Sequence, residues 1–441
     1  MPATLERQIR DALGAFDLAR YVGQIREVGR AYWPAEEREA AVSLYHEICA
    51  FRSSQPLISR RLDDELELAR RVLYPEWCIS TGMPQYRAYI NADVLNWFLH
   101  TTARTSYQDV CRRCVLAIKI ILHDLQSSEV QALTNVAQRG ADFNEEAVRD
   151  RLERVEALRS AFEEEIPRST SLARVPPAGW AEYLAPESQS LALVHLTALP
   201  LTLEHDERFF LRVIHISECC FFAILTASLA SAERLKHDQI EVAAKCLRVA
   251  LPFAELLTPL FQALKTMSPE RFHRFRDATG AASAIQSRTY QLMQVSLMGV
   301  NPATIDVVTE FEGLQDLRVC DQPDFVSLAT LSRERNVAVS PHGPAWTEIL
   351  CALRKELYKW RTMHVGIVRK YLAGLPGTGG TTAVEYLNRS LRDPVEDAEA
   401  ASESRERSPC QAPQACPGHG AMTEHGLERP KEIHAIFATT G

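Results

Sequence analysis

Apolar residues recur at spacings of three and four along most of this 441-residue chain, and this helical periodicity constrains the fold more than any other feature. In residues 350–372 one continuous apolar stripe consists of Leu353, Leu357, Trp360, His364, Ile367 and Tyr371. Basic side chains fall mostly on the opposite face of this segment. No run of alternating apolar and polar residues indicates a strand. The sequence therefore predicts an all-α protein built as a helical bundle.

Composition and periodicity divide the chain into three parts. Residues 1–165 are predicted to form an N-terminal helical extension of unknown role, with helices within 36–52, 62–74, 106–124 and 144–165. A second helical domain is expected in residues 166–390. Residues 391–441 are rich in Glu, Ser, Pro, Gln and Gly without apolar periodicity, so we predict a disordered tail.

Charge and hydropathy exclude several classes of protein. A formal net charge of -8 argues against a nucleic-acid binder, which would normally present a basic face. Residues 209–230 are apolar enough to suggest a membrane span, but Arg212, His215 and Glu218 place three ionisable groups on one helix face. Such groups are costly in lipid, so we expect a core helix. The first residues mix charged and apolar side chains, unlike a signal peptide, and we expect a cytoplasmic protein without a membrane partner.

The cysteines do not indicate a disulfide framework. Their number is eleven, which is odd, and they lack the spacing of small disulfide-rich scaffolds. Cys111 and Cys114 form a CxxC pair, but no second pair lies at the distance of a zinc ribbon. We interpret both as buried thiols on a helix.

His364 is the candidate metal ligand. A histidine within an apolar stripe needs a partner for each ring nitrogen. A heme iron would satisfy one nitrogen, and a neighbouring acceptor would satisfy the other. Taken alone, however, the pattern is more typical of a hydrogen-bonded core histidine.

A glycine-rich segment, GLPGTGGTTAVEYL, follows this helix. Gly377 and Gly379 allow the backbone to pass close to a ligand, and Thr378 supplies a hydroxyl. No strand precedes the segment and no Lys-Ser/Thr pair follows it, so a nucleotide-binding P-loop is not indicated. The segment is either a cradle for an anion or zwitterion or a flexible connector.

A second candidate binding segment begins at Ser268-Pro269-Glu270, which has the features of a helix start. This helix carries Phe272 and Arg276 before a break at Thr279-Gly280. An arginine beside aromatic rings can bind a carboxylate bidentately while the rings hold an apolar body. The alternative is a surface arginine in an ordinary ion pair.

Three segments together resemble the tryptophan 2,3-dioxygenase family, part of the histidine-ligated heme aromatic oxygenases. The segment WRTMHVGIVRKYLAGLPGTGGTTAVEYLNRSL is similar to that family's heme-ligand helix and its following GTGG loop. FRDATGAASAIQSRTYQL is similar, without gaps, to FRxxxSxASGFQSLQFRL, and YLAPESQSLALVHLTALPLTLEHDERFF resembles YLxLdxLLxxQ…HDE. The resemblance covers roughly residues 180–390.

This resemblance implies a heme b and dioxygen as co-substrate. His364 matches the iron ligand, and Trp360 matches the tryptophan that packs beside it one helical turn earlier. A related member bonds its heme to a cysteine four residues after the ligand; here that position is Val368, so we expect non-covalent binding. Family members are often tetramers, and we expect a homo-oligomer, either a dimer or a tetramer.

The substrate-binding residues also follow from the resemblance. Arg276 matches the arginine that binds the carboxylate of an aromatic amino acid, and Phe272 matches an aromatic residue that lines the indole pocket. Thr378, between Gly377 and Gly379, matches the loop threonine that holds the substrate's ammonium and carboxylate groups.

The side opposite His364, called distal below, departs from the family. The family's distal histidine lies seven residues after the glutamate of HDE, whereas His215 lies eight residues after Glu207. A gapless alignment therefore puts Ile214 at the distal position, and one residue on a helix is a rotation of about 100°. Either a local bulge turns His215 toward the heme as a catalytic residue, or the distal base is absent or placed differently.

The implied function is a dioxygenase of tryptophan catabolism that inserts dioxygen into the indole ring of L-tryptophan or a derivative, giving an N-formylkynurenine-type product. The distal departures leave open a heme monooxygenase or peroxygenase that hydroxylates tyrosine or another modified aromatic amino acid in secondary metabolism. A non-catalytic heme-binding sensor or scaffold is the alternative from another class.

Overall fold

The computed structural model describes residues 2–372, with gaps at 55–57, 84, 100–105, 136–143, 161–176, 178, 186–187, 281, 301–313 and 315–325. Across these ranges the secondary structure is helical and includes no strand, which confirms the all-α prediction. The predicted tail, residues 391–441, lies outside the described residues. So does the glycine-rich loop with Gly377, Thr378 and Gly379.

Eight helices are described before residue 161. They are α1 (Pro2–Ala15), α2 (Leu18–Val28), α3 (Ala35–Ser54), α4 (Arg60–Ser80), α5 (Tyr86–Tyr89), α6 (Ala92–Leu99), α7 (Tyr107–Thr134) and α8 (Glu145–Ser160).

Nine helices are described after residue 179. They are α9 (Trp180–Leu184), α10 (Gln189–His195), α11 (His205–Lys236), α12 (Ile240–Arg248), α13 (Leu251–Leu264), α14 (Pro269–Thr279), α15 (Arg288–Met298), α16 (Leu328–Glu334) and α17 (Gly343–Leu372). A short 3-10 turn, Ala284–Gln286, precedes α15.

Side-chain caps explain where several helices begin. A serine or aspartate accepts a hydrogen bond from a first-turn backbone N–H in six helices, the caps being Asp17, Ser59, Ser106, Ser268, Ser287 and Ser327. The predicted start of α14 at Ser268 is thus confirmed. Its predicted end is confirmed too, because Gly280 has a φ of 57°, a left-handed conformation that favours glycine.

The helix predicted within residues 62–74 extends further than expected, through the sequence YPEW. Helix α4 continues through Pro75 to Ser80, because the residues that follow the proline still have buried positions on the same helix. Glu76 and Cys78 are both fully buried. Burial of this last turn outweighs the backbone hydrogen bond that proline removes.

The helices enclose two large apolar cores and a smaller third cluster, which is described below. The larger core contains α7, α8 and most of the helices from α11 to α17. The smaller core contains α1 to α4 together with Trp180, Tyr183 and Leu196. Helices α7 and α8 therefore pack with the second half of the chain, and the division between the cores does not coincide with the predicted boundary at residue 165.

The HDE sequence at the start of α11 joins these helices through buried charges. Nε2 of His205 lies 3.0 Å from Oε2 of Glu129 on α7. Asp206 accepts a hydrogen bond of 2.9 Å from Arg151 on α8 and one of 3.0 Å from the backbone N–H of Ser268. These bonds satisfy groups that would be costly to bury alone. They fix α11 against α7, α8 and the start of α14.

Helix α11 is long and apolar enough to cross a membrane by length and composition, but 94% of its most apolar window is buried inside the protein. This confirms the prediction of a core helix. Arg212 donates to Asp124 and to the carbonyl of Val194, so its charge is satisfied within the fold.

Candidate functional site

The predicted apolar stripe on α17 is confirmed, since Leu353, Leu357, Trp360, Ile367 and Tyr371 are all buried. His364 lies within this stripe and keeps part of its surface exposed. Its ring stacks on Trp360, with centroids 5.8 Å apart and an interplanar angle of 29°. Phe261 on α13 meets the same ring edge-on at 5.3 Å.

The imidazole of His364 is suited to bind a metal. Within the described ranges, neither ring nitrogen has a hydrogen-bond partner, in contrast to an ordinary core histidine. Surrounding protein atoms desolvate the ring and lower the pKa of His364 to about 4. The ring is therefore neutral at physiological pH, which is the form that coordinates iron.

Trp360 is held by aromatic rings from three other helices. Its ring lies 5.1 Å from Phe221 on α11, 5.4 Å from Phe261 on α13 and 5.5 Å from Tyr290 on α15. Its buried indole Nε1 has no hydrogen-bond partner among the described residues. Such edge-to-face packing fixes the orientation of the ring that contacts His364.

A second group of rings lies farther along the same helices. Phe272 on α14 contacts Phe210 on α11 at 6.2 Å and Tyr371 on α17 at 4.9 Å. Phe210 and Phe221 are eleven residues apart, as are Tyr371 and Trp360, a helical rise of about 16 Å. Helices α11 and α17 thus run antiparallel between the two groups of rings. The intervening stretch of α17 carries His364, and that of α11 carries Ile214.

A small cavity of about 10 Å³ lies beside Trp360, between α15 and α17. Met293, Leu297, Arg354 and Arg361 are among the residues that line it. The imidazole of His364, one turn from Trp360 and without a hydrogen-bond partner among the described residues, fits the iron ligand of a heme.

Phe272 and Arg276 lie four residues apart and so share a face of α14. Phe272 also packs edge-on against Phe275, with centroids 5.2 Å apart. The structure thus brings Phe272 to Phe210 of α11 and to Tyr371 of α17, and it places Arg276 in the last turn of α14, beside Gly280.

His215 is fully buried. Its Nε2–H donates to the carbonyl of Ile90 at 2.7 Å, and its Nδ1 lies 3.5 Å from Nη1 of Arg212. Burial and the Arg212 charge lower the pKa of His215 to about 3, so the ring is neutral. Helix α11 is continuous here, without a bulge. This geometry favours the alternative in which the distal histidine is absent.

Ile214 lies where the gapless alignment puts the distal residue. It belongs to a third apolar cluster together with Ala282, which follows α14, and Phe210 packs against this cluster. The cluster thus joins the distal face of α11 to the segment that carries Arg276.

Sequence reasoning missed Tyr86, which belongs to the same cluster as Ile214. Its hydroxyl donates to Oε1 of Glu218 at 2.8 Å, and the hydroxyl of Ser287 donates to the same oxygen at 2.6 Å. Burial raises the pKa of Glu218, while these hydroxyls oppose the rise. Tyr86 follows a turn-rich stretch without periodicity and lies outside the three motifs, so no sequence signal pointed to it.

Among the described residues, no group of three or more His, Cys, Asp or Glu side chains can hold a metal ion. Cys111 and Cys114 are buried free thiols, as predicted. A heme requires only an axial ligand from the protein, since the porphyrin supplies the other nitrogens. A single histidine is therefore sufficient here.

Comparisons with known proteins agree with two of the three motifs, those within residues 183–210 and 275–292. A family model described as tryptophan 2,3-dioxygenase matches residues 168–313. A tryptophan 2,3-dioxygenase of Caulobacter vibrioides is 26% identical over 229 residues, which cover 44% of this chain and 87% of the relative. One of Bradyrhizobium diazoefficiens is 29% identical over 228 residues, covering 44% and 81%. One of Ruegeria sp. is 27% identical over 222 residues, covering 42% and 80%.

Each of these relatives is matched over at least 80% of its length, whereas residues 1–167 precede the family model. Together with the all-α fold, these matches support the resemblance to the tryptophan 2,3-dioxygenase family, whose members are heme-dependent oxidoreductases that use dioxygen as co-substrate.

Proposed function

We propose that this protein inserts dioxygen into the indole ring of L-tryptophan or a tryptophan derivative, with a heme b held by His364. The observation that carries the proposal is the His364 imidazole, which is neutral, stacked on Trp360 and without a hydrogen-bond partner in the described part of the chain. The relatives named above are tryptophan 2,3-dioxygenases, which supports this substrate class.

His364 would bind the iron, and Trp360 and Phe261 would hold its ring in the orientation for coordination. Dioxygen activation at ferrous iron is the chemistry that the heme would supply when bound. His364 would supply a neutral imidazole ligand, which donates less electron density than a thiolate would.

Arg276 would bind the carboxylate of the amino acid through its planar, two-pronged guanidinium. Phe272 would hold the indole, and Thr378 with Gly377 and Gly379 would hold the ammonium end. Fixing one end of the substrate places its ring at the reacting centre, and positioning is the main contribution that a protein makes beside such a cofactor.

The distal wall would differ from that of the relatives, because the aligned position carries Ile214. With Phe210 and Ala282 nearby, this wall is apolar. Its side chains would exclude water and hold the aromatic ring. No imidazole on α11 would accept the indole proton, since His215 is engaged with the carbonyl of Ile90.

The test is the mass of the product formed when reduced, heme-loaded protein is incubated with L-tryptophan under labelled dioxygen. We expect a product heavier by two oxygen atoms, both labelled. No product from tryptophan or from its ring-methylated forms would contradict the proposal.

A second candidate is a monooxygenase or peroxygenase that hydroxylates tyrosine or a modified aromatic amino acid. Ile214 in the distal wall favours it, since the aligned base of the family is missing. A product heavier by one oxygen atom would select this reaction.

We also propose that the protein is a cytoplasmic homo-oligomer, either a dimer or a tetramer. Light scattering during size-exclusion chromatography would test the oligomeric state.

A further inference from the structure

Helix α5 precedes the part of the chain that matches the family, yet its residues lie against the distal wall. Tyr86 and Tyr89 pack in one apolar cluster with Ile214 of α11 and Ala282 of the segment after α14. Tyr86 is 6% exposed, so its ring is a packed wall and not a surface side chain. A segment outside the family match thus forms part of the candidate site.

Two hydrogen bonds hold Tyr86 in this position, and a third holds the carboxylate that accepts one of them. Its hydroxyl donates to Glu218 on α11, which Ser287 at the start of α15 also contacts. Its backbone N–H donates to Oε1 of Gln286 at 2.9 Å. Because one carboxylate and one amide join α5 to α11 and to the 3-10 turn, the phenol ring has little freedom to move.

We propose that Tyr86 is a specificity-determining residue, which closes the distal side of the amino-acid pocket and limits the size of the aromatic ring admitted there. Glu218 is its positioning partner. This inference rests on the proposed substrate class, an aromatic amino acid bound by Arg276 and Phe272. It assigns to the N-terminal region a role in substrate selection.

The physical reason is the rigidity of a packed aromatic wall. One methyl group too many in a closed apolar pocket typically costs about 10-fold or more in affinity. A ring fixed at both its backbone and its hydroxyl cannot move aside to admit that group. A shorter side chain in place of Tyr86 should therefore admit larger aromatic rings, and a larger side chain should exclude them more strongly.

The experiment measures binding of L-tryptophan and of its 4-, 5-, 6- and 7-methyl forms to ferric, heme-loaded protein by calorimetry, without turnover. For Tyr86→Leu we expect at least one methylated form to gain about 10-fold in affinity relative to tryptophan. For Tyr86→Trp we expect the methylated forms to lose affinity relative to tryptophan. The control is Tyr45→Leu, which removes a tyrosine ring that stacks on Trp77 within the N-terminal helices. This variant should leave the affinity ratio of each methylated form to tryptophan unchanged.

Unchanged ratios in both Tyr86 variants would overturn the inference. Should the variants fail to fold, amide hydrogen exchange on the unmodified protein decides: tryptophan must slow exchange in residues 86–90. Equal exchange with and without tryptophan would overturn it too. If the Tyr86 variants change the affinity ratios but the protein forms no oxygenated product, only the proposed function is refuted. If the protein forms the product but the affinity ratios stay the same, only this inference is refuted.

Discussion

The ring of Trp360 lies nearly parallel to that of His364, with centroids 5.8 Å apart and an angle of 29° between the planes. Four residues separate them on α17, so both project from the same face. Phe221, Phe261 and Tyr290 surround the tryptophan. The orientation of the candidate iron ligand is thus set by aromatic packing from three helices.

Replacing Trp360 should damage both the fold and the candidate heme site. Trp360→Ala removes a buried ring that contacts three aromatic side chains and His364, and such truncations cost about 3–5 kcal/mol in the free energy of unfolding. Urea denaturation measures this loss, and heme titration measures the accompanying drop in affinity. Trp77→Ala is the control, because Trp77 is partly buried and its ring contacts lie on α3 and α4. Equal heme affinity in Trp360→Ala and wild type would contradict the packing role.

Protein without heme should lose stability as the pH falls below about 6.5, partly because of His364. The unfolded ring binds a proton near pH 6.5, whereas the folded ring does so only near pH 4. Between these values the unfolded state binds more protons, so this residue lowers the free energy of unfolding by at most about 1.4 kcal/mol per pH unit.

His364→Leu should remove that contribution. Urea denaturation at pH 6 and pH 4.5 gives the change in the free energy of unfolding with pH for the variant and for the wild type. His215, with a pKa of about 3, adds a slope of the same sign in both proteins and therefore cancels. If the free energy of unfolding changes equally with pH in the two proteins, His364 is not desolvated in the fold.

Arg276 should control affinity for the amino acid and leave heme binding intact. Hydrogen bonds to a charged group contribute about 1.5–3 kcal/mol, so Arg276→Lys, which loses the two-pronged geometry, should raise KM for tryptophan about 10-fold or more. Arg274→Lys is the matched control, because Arg274 is an exposed arginine of the same helix, α14, and pairs with Glu204 at the start of α11. If KM for tryptophan is the same in both variants, Arg276 does not bind the substrate carboxylate.

His215 should matter for stability and not for the reaction. His215→Ala leaves the carbonyl of Ile90 without its donor, which costs about 1–3 kcal/mol in a buried site. We expect a lower melting temperature with kcat unchanged below that temperature. A large fall in kcat at unchanged melting temperature would instead make His215 the distal catalytic residue.

The sequence predicted those features that depend on local periodicity and capping. The stripe around His364, the start of α14 at Ser268 and the bend at Gly280 all follow from residues within a few positions of one another. Contacts between distant segments could not be predicted this way. Arg151 reaches Asp206 across 55 residues, and Tyr86 reaches Glu218 across 132. The side to which His215 points also depends on partners far away in the chain, such as Ile90.

The most direct test of the account is the Soret absorption of the protein after titration with hemin, compared between wild type, His364→Ala and a control, His342→Ala, in which an exposed histidine is replaced. We predict a stoichiometric, histidine-ligated spectrum for wild type and for the control. We predict loss of that spectrum in His364→Ala, with recovery on addition of free imidazole. An unchanged spectrum in His364→Ala would contradict the assignment of His364 as the heme ligand.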